Sequence, residues 1–187
     1  VIPRLPATPA NLRRAIVVRL DFHLPLFVLA QVPRLIQLHH EAEQLARQVD
    51  DPGRLGRVSY RMGAYSWMNA QYARTIEYAR QALHIAAAAQ DPELRILATY
   101  VLGLGYHERG EYRTAIDVLI GYLEGPDVEL AKRRLGLASG SPYVLGCHRL
   151  VRCLSAVGDF ERALRYADYA VQAAEAADDP PAQAWAY

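Results

Sequence analysis

Residues 91–120 read DPELRILATYVLGLGYHERGEYRTAIDVLI, and this stretch decides the fold. Asp91-Pro92 has the form of a helix start. Proline costs nothing at a first helical position, and the aspartate before it can accept from free backbone N–H groups. Apolar residues then recur at helical spacing as far as Tyr106. Gly110 supplies a residue suited to left-handed backbone, and a second apolar helix begins near Tyr112. The reading is a helix, a tight reversal and another helix.

The same phrase occurs elsewhere at a fixed distance, which is the signature of a repeat architecture. Asp51-Pro52, Gly63, Gln71-Tyr72 and Thr75 precede Asp91-Pro92, Gly103, Glu111-Tyr112 and Ala115 by 40 residues each. Downstream, Gly158-Asp159-Phe160-Glu161-Arg162-Ala163 repeats Gly110-Glu111-Tyr112-Arg113-Thr114-Ala115. Ser141-Pro142 and Asp179-Pro180 are two further helix starts. In the earliest copy Asn69-Ala70 takes the place of the turn glycine. Small residues at Thr75, Ala115 and Ala163 mark close helix approach, with Tyr72, Tyr112 and Phe160 as ring anchors beside them.

Upstream the pattern is looser. Thr8-Pro9 opens a helix expected to run toward Ala30 with a kink at Pro25, and residues 34–48 carry the spacing of a second helix through Leu35, Leu38, Ala42 and Leu45. The third unit contains an insertion punctuated by Gly121, Gly125, Pro126, Gly136 and Gly140, read as an irregular loop around a short helix from Val128 to Leu135. Insertions of this kind project from one face and often serve binding. The units are thus about 8–50, 51–90, 91–140 and 141–178, with a truncated unit at 179–187. The predicted fold is all-α, a single solenoid domain of about four helical hairpins and the start of a fifth. The chain opens without Met and stops early in a repeat, which reads as a fragment of a larger protein. Its unfinished end favours a homodimer through an apolar surface at Trp185 and Tyr187.

Composition narrows the function classes. In 187 residues, 21 Lys and Arg stand against 20 Asp and Glu, so no global charge draws the chain to nucleic acid or to an anionic membrane. No apolar run approaches the roughly 18 residues that span a bilayer. Arg4, Arg13, Arg14 and Arg19 make the start basic, and a helix face explains them. The only cysteines, Cys147 and Cys153, fit a reducing cytoplasm.

No catalytic, cofactor or metal set survives inspection. Cys147 and Cys153 lie about 9 Å apart in rise on one predicted helix, on different faces, and read as small buried hydrophobes. His39-His40-Glu41 lacks a nucleophile and reads as a solvated helix edge. The segment from Gly136 to Gly140 has neither the lysine nor the preceding strand of a phosphate loop, and reads as a linker. The 40-residue hairpin period with its turn glycines and small residues resembles the tetratricopeptide type, in which first helices line the inner surface. That resemblance implies a partner-binding groove lined by Arg57, Tyr60, Trp67, Tyr100, Leu104, His107, His148 and Arg152. Aromatic and arginine residues are common interface anchors. A groove with cationic points suits an acidic or amphipathic segment of a protein or peptide.

Leu102-Gly103, Tyr106, Ala115 and Leu119, with Gly63, Thr75 and Ala82 in the preceding unit, resemble the tetratricopeptide (TPR) pattern. Ser66, Val151 and Leu154 depart from it. The resemblance implies a right-handed superhelix whose first helices line the inner surface. A narrower resemblance rests on the phrases His40-Glu41-Ala42-Glu43-Gln44-Leu45-Ala46, Asp51-Pro52-Gly53-Arg54-Leu55-Gly56-Arg57-Val58 and Ala173-Ala174-Glu175-Ala176-Ala177-Asp178. These look like the C-terminal repeat regions of bacterial class III adenylate or guanylate cyclase proteins that also carry an ATPase domain. The chain would then be a cytoplasmic, non-catalytic scaffold in signal transduction, with the parent's own catalytic domains among its partners. Similar repeats follow the ATPase of LuxR-type transcription activators, which implies instead a sensor of a small ligand or partner.

Overall fold

The computed structural model describes residues 6–22, 25, 26, 29, 31–136 and 140–187. Among these residues there are ten helices and no strand: α1 (Pro9–Asp21), α2 (Val32–Gln48), α3 (Pro52–Met68), α4 (Tyr72–Ala89), α5 (Pro92–Glu108), α6 (Tyr112–Leu123), α7 (Val128–Ala131), α8 (Pro142–Ala156), α9 (Phe160–Ala176) and α10 (Pro180–Ala186). The pairs α1–α2, α3–α4, α5–α6 and α8–α9 are antiparallel hairpins, and α10 opens a fifth.

Local chemistry starts each hairpin as expected. Thr8, Asp51, Asp91, Ser141 and Asp179 each accept from the backbone N–H three residues on, with proline at the first helical position. Such a cap contributes about 1 kcal/mol. Gly110 and Gly158 reverse the chain with φ of 75° and 83°. In the earlier copy the left-handed residue is Ala70, at φ 56°, and not Asn69. Asn69 keeps a negative φ, and its side-chain amide donates to the Tyr65 carbonyl at 2.9 Å, closing the end of α3.

Packing follows the small-residue positions. Thr75, Ala115 and Ala163 are buried, and a Cβ at Gly103 would sit 2.6 Å from a Leu119 methyl, so α5 and α6 can approach only because that atom is missing. One core runs through the second, third and fourth hairpins. A smaller one joins Ile16, Ala42 and Ala46 to Val58 and Met62. Consecutive first helices touch, α3 with α5, α5 with α8 and α8 with α10, whereas the second helices α4, α6 and α9 make little contact with one another. The stack therefore curves with its first helices inside.

Several expectations need correction. Helix α1 ends at Asp21 with Phe22 as its cap, so Pro25 lies beyond it and does not kink it; the expected run to Ala30 falls partly on residues 23, 24, 27, 28 and 30, outside those described. Gly121 is not a loop breaker but part of α6, held helical by buried Leu119, Tyr122 and Leu123 around it. The insertion helix is one turn, Val128–Ala131, and the chain leaves it through left-handed Leu135 and Gly136, at φ 46° and 77°. Most of the segment read as a linker, 137–139, is outside the described residues. His39 is fully buried rather than solvated. It belongs to the stripe Leu35, His39, Ala42, Ala46, which the 3.6-residue period turns toward α3. Phe160 is exposed; among the described residues α9 packs mainly on α8 and α10, which leave its ring uncovered.

The insertion is tied back to the stack. Tyr122 donates to the Pro142 carbonyl at 2.9 Å, Tyr166 donates to Glu124, Arg134 pairs with Asp179 at 3.1 Å, and Arg95 pairs with Asp127. Lys132 lies 5.6 Å from the Tyr143 ring centroid.

Candidate functional site

Helices α3, α5 and α8 bring one turn each to the inner face at the joint between the third and fourth hairpins. At its centre stands Arg149, only 5% exposed. Its guanidinium donates from Nη1 to Nδ1 of His107 and to Oε1 of Glu108, both at 3.1 Å, and lies 5.7 Å from the Trp67 ring centroid. Trp67 closes the set by donating its indole N–H to Glu108 at 3.3 Å. Four side chains from three helices thus share one polar knot. The Nε of Arg149 is buried with no hydrogen-bond partner. Burying a guanidinium against a single carboxylate is expensive.

Electrostatics assign the charges. Burial lowers the His107 pKa and Arg149 lowers it further, against Glu108, whose Oε1 lies 3.3 Å from the same Nδ1, and the net shift leaves the imidazole neutral at pH 7. Partial burial works against ionisation of Glu108. The Trp67 indole and Arg149 outweigh it and hold the carboxyl below its ordinary range. Burial pushes the Tyr100 phenol up to about 12, with Arg149 opposing.

Of the residues expected to line a groove, Tyr60, Leu104 and His107 are buried, Arg57, Trp67, Tyr100 and His148 are half-buried, and Arg152 is exposed. The structure brings Trp67, Tyr100 and His107 together around Arg149. Arg152 is close enough to depress both histidines, after burial and Arg149. His148 faces α10, with Nδ1 3.2 Å from the Trp185 carbonyl and the two rings edge to face at 5.2 Å. Arg57 stands apart, paired with Asp91 and Glu93 at 3.1 and 3.4 Å. Among the described residues Arg152 takes part in no hydrogen bond or ion pair, so its charge is free at the lip of the knot.

Arg149 and Glu108 were not anticipated. A signal existed: Arg149 lies two residues before Val151, where the third hairpin has Val101 two before Gly103, and Val101 is a buried core residue. An arginine at a core position of the repeat was the mark. Cys147 and Cys153 are buried, and burial raises their thiols to about 12 and about 11, so both are protonated at neutral pH. Among the described residues no cluster of His, Cys, Asp and Glu could hold a metal ion, and no helix is long and apolar enough to cross a membrane.

Two crystal structures share this architecture over most of its length. Both are of a Podosopora anserina kinesin light chain-like protein with nearly identical TPR-like repeats. One, a substituted variant, aligns at TM-score 0.61 and 14% identity, covering 87% of this chain and 76% of that one. The other aligns at TM-score 0.61 and 16% identity, covering 95% and 81%. The fold is a right-handed TPR-like solenoid. No family model and no curated protein matches the chain.

Proposed function

We propose that this TPR-like chain is a non-catalytic interaction module, and that its inner face at the third–fourth joint takes an acidic segment of a protein partner. The observation that carries this reading is Arg152: an exposed guanidinium with no hydrogen bond or ion pair among the described residues, near enough to His107 and His148 to depress both, on the face where Trp67 and Tyr100 gather around Arg149. Arginine with aromatic neighbours is the composition of interface anchors, and a partner carboxylate can form a bidentate pair with a free guanidinium. Within the knot Arg149 balances Glu108, so with both histidines neutral Arg152 at its lip leaves a local charge of +1.

The sequence phrases that resemble bacterial cyclase–ATPase repeat regions support a place in a multidomain cytoplasmic signalling protein, whose own catalytic portion would supply the acidic segment. Selection from a displayed random-peptide library, with wild-type chain and Arg152→Glu as parallel baits, tests the binding face. Peptides rich in Asp and Glu on the wild-type bait alone are expected. Equal enrichment on both baits, or neutral and basic winners, would overturn the assignment.

A further inference from the structure

On the outer side of the stack, away from the inner face, the insertion helps to enclose a cavity of about 340 Å³. Its apolar part is made by Leu83 of α4, Ile96 and Leu102 of α5, and Val118 of α6. The insertion contributes the edge through Gly125, Pro126 and Asp127. Small-molecule sites run from about 300 to 1,000 Å³ and combine apolar walls with few polar groups, and this cavity has that make-up.

Two features mark it as more than a packing defect. Gly121 lines the cavity from within α6, where glycine is the poorest helix former after proline. Neither turn geometry nor close packing accounts for it: its φ is not positive, and a Cβ there would meet nothing within 4 Å. Gly125, by contrast, is required sterically, since its Cβ would lie 2.5 Å from the Gly121 carbonyl oxygen. The glycine at 121 leaves this edge of the cavity without a side chain.

The second feature is charge. Arg95 at the rim is neutralised by Asp127, while Asp117, also lining the cavity, takes part in no hydrogen bond or ion pair among the described residues. Arg113, one turn earlier on α6, does not pair with it. One guanidinium against two carboxylates leaves a local charge of −1 beside an apolar wall.

We propose that this cavity binds a small molecule carrying one ammonium group on a compact apolar body, with the ammonium at Asp117 and the body against Leu83, Ile96, Leu102 and Val118. The test is an NMR titration of the 187-residue chain with 2-phenylethylamine, alongside 2-phenylethanol as the uncharged isostere. Saturable shifts confined to α4, α5, α6 and the loop after α6 are expected for the amine. The alcohol, and the amine with Asp117→Asn, should each bind at least about tenfold more weakly. Gly121→Leu, which fills the cavity and improves the helix, should abolish binding without lowering the melting temperature. Absence of saturation in the millimolar range, equal affinity for the alcohol or for Asp117→Asn, or binding that survives Gly121→Leu would each overturn the proposal. Were Gly121→Leu to misfold, Asp117→Asn still decides, because that side chain is exposed and unpaired.

Discussion

The second–third and third–fourth joints are cut to the same repeat pattern and packed by different chemistry. At the earlier joint Gly105 of α5 faces Ile76 of α4, where a Cβ would lie 2.7 Å from the isoleucine side chain, and Val101 is buried apolar core. At the later one Cys153 takes the place of Gly105 and Arg149 that of Val101, with Tyr122 threaded against Gly146. The earlier joint carries its polar pairs, Arg57 with Asp91 and Glu93 and Arg80 with Tyr106, through arginines outside the buried core. The later joint concentrates buried charge at one point of the inner face, at an energetic cost the earlier one avoids. The fourth hairpin shows what stacking alone supplies: Leu164 on α9 is 68% exposed, whereas its repeat equivalents Ile76 and Ile116 are 5% and 7% exposed under the following hairpin.

The largest expected effect separates the joints by sterics. Gly146→Ala would place its Cβ on the Tyr122 hydroxyl, expelling the ring and breaking its bond to the Pro142 carbonyl. A loss of about 3–4 kcal/mol is expected in urea unfolding. At the earlier joint, the Cβ of Gly105→Ala meets Ile76 Cγ1 at 2.7 Å and the Thr75 methyl at 3.2 Å, a milder overlap than at Gly146, and should cost about half as much. Equal costs would erase the distinction.

Next comes the polar knot. Arg149→Ala leaves a cavity and strips Glu108 of its cation, for an expected loss of about 3 kcal/mol. Arg149→Leu combined with Glu108→Gln restores something close to the Val101 arrangement and should recover most of that stability. If the double variant is as unstable as Arg149→Ala, the knot is structural and the contrast with Val101 fails.

A smaller effect belongs to the first–second joint, where His39 packs edge-on against Tyr65 at 5.0 Å and bonds the Leu35 carbonyl at 2.8 Å. Burial lowers its pKa to about 4, with Arg61 and His40 adding to the shift and the Leu35 bond opposing it. The unfolded chain therefore binds the proton more readily. Stability is complete above the unfolded value near 6.5 and falls as pH drops toward 4, by about 2 kcal/mol between pH 7.5 and 5. His39→Phe should remove that part of the acid slope in denaturant midpoints taken at both pH values; an unchanged slope would place the titrating group elsewhere.

These residues also show what could be read in advance. Hairpin count and helix starts were legible because caps and turns are local: Asp51, Asp91, Ser141 and Asp179 act within three residues of themselves. His39 and Arg149 were not, since a polar residue at a core position looks like a surface residue until its partners on other helices are placed. Gly121 misled for the opposite reason. Glycine suggests a break, but the buried neighbours Leu119, Tyr122 and Leu123 override one poor helix former. On the inner face, Tyr60, Leu104 and His107 of the expected groove positions are buried, and the knot that gathers Trp67, Tyr100 and His107 around Arg149 was not legible.

The central claim is that the third–fourth joint, and not the surface at large, receives an acidic partner. The direct measurement is the affinity of one selected acid-rich peptide for wild type, Arg152→Glu on the inner face and Arg165→Glu on the exposed side of α9, which change the net charge equally. The account predicts at least about a tenfold loss for Arg152→Glu and no more than about a twofold change for Arg165→Glu. Equal losses, or full affinity in Arg152→Glu, would contradict it.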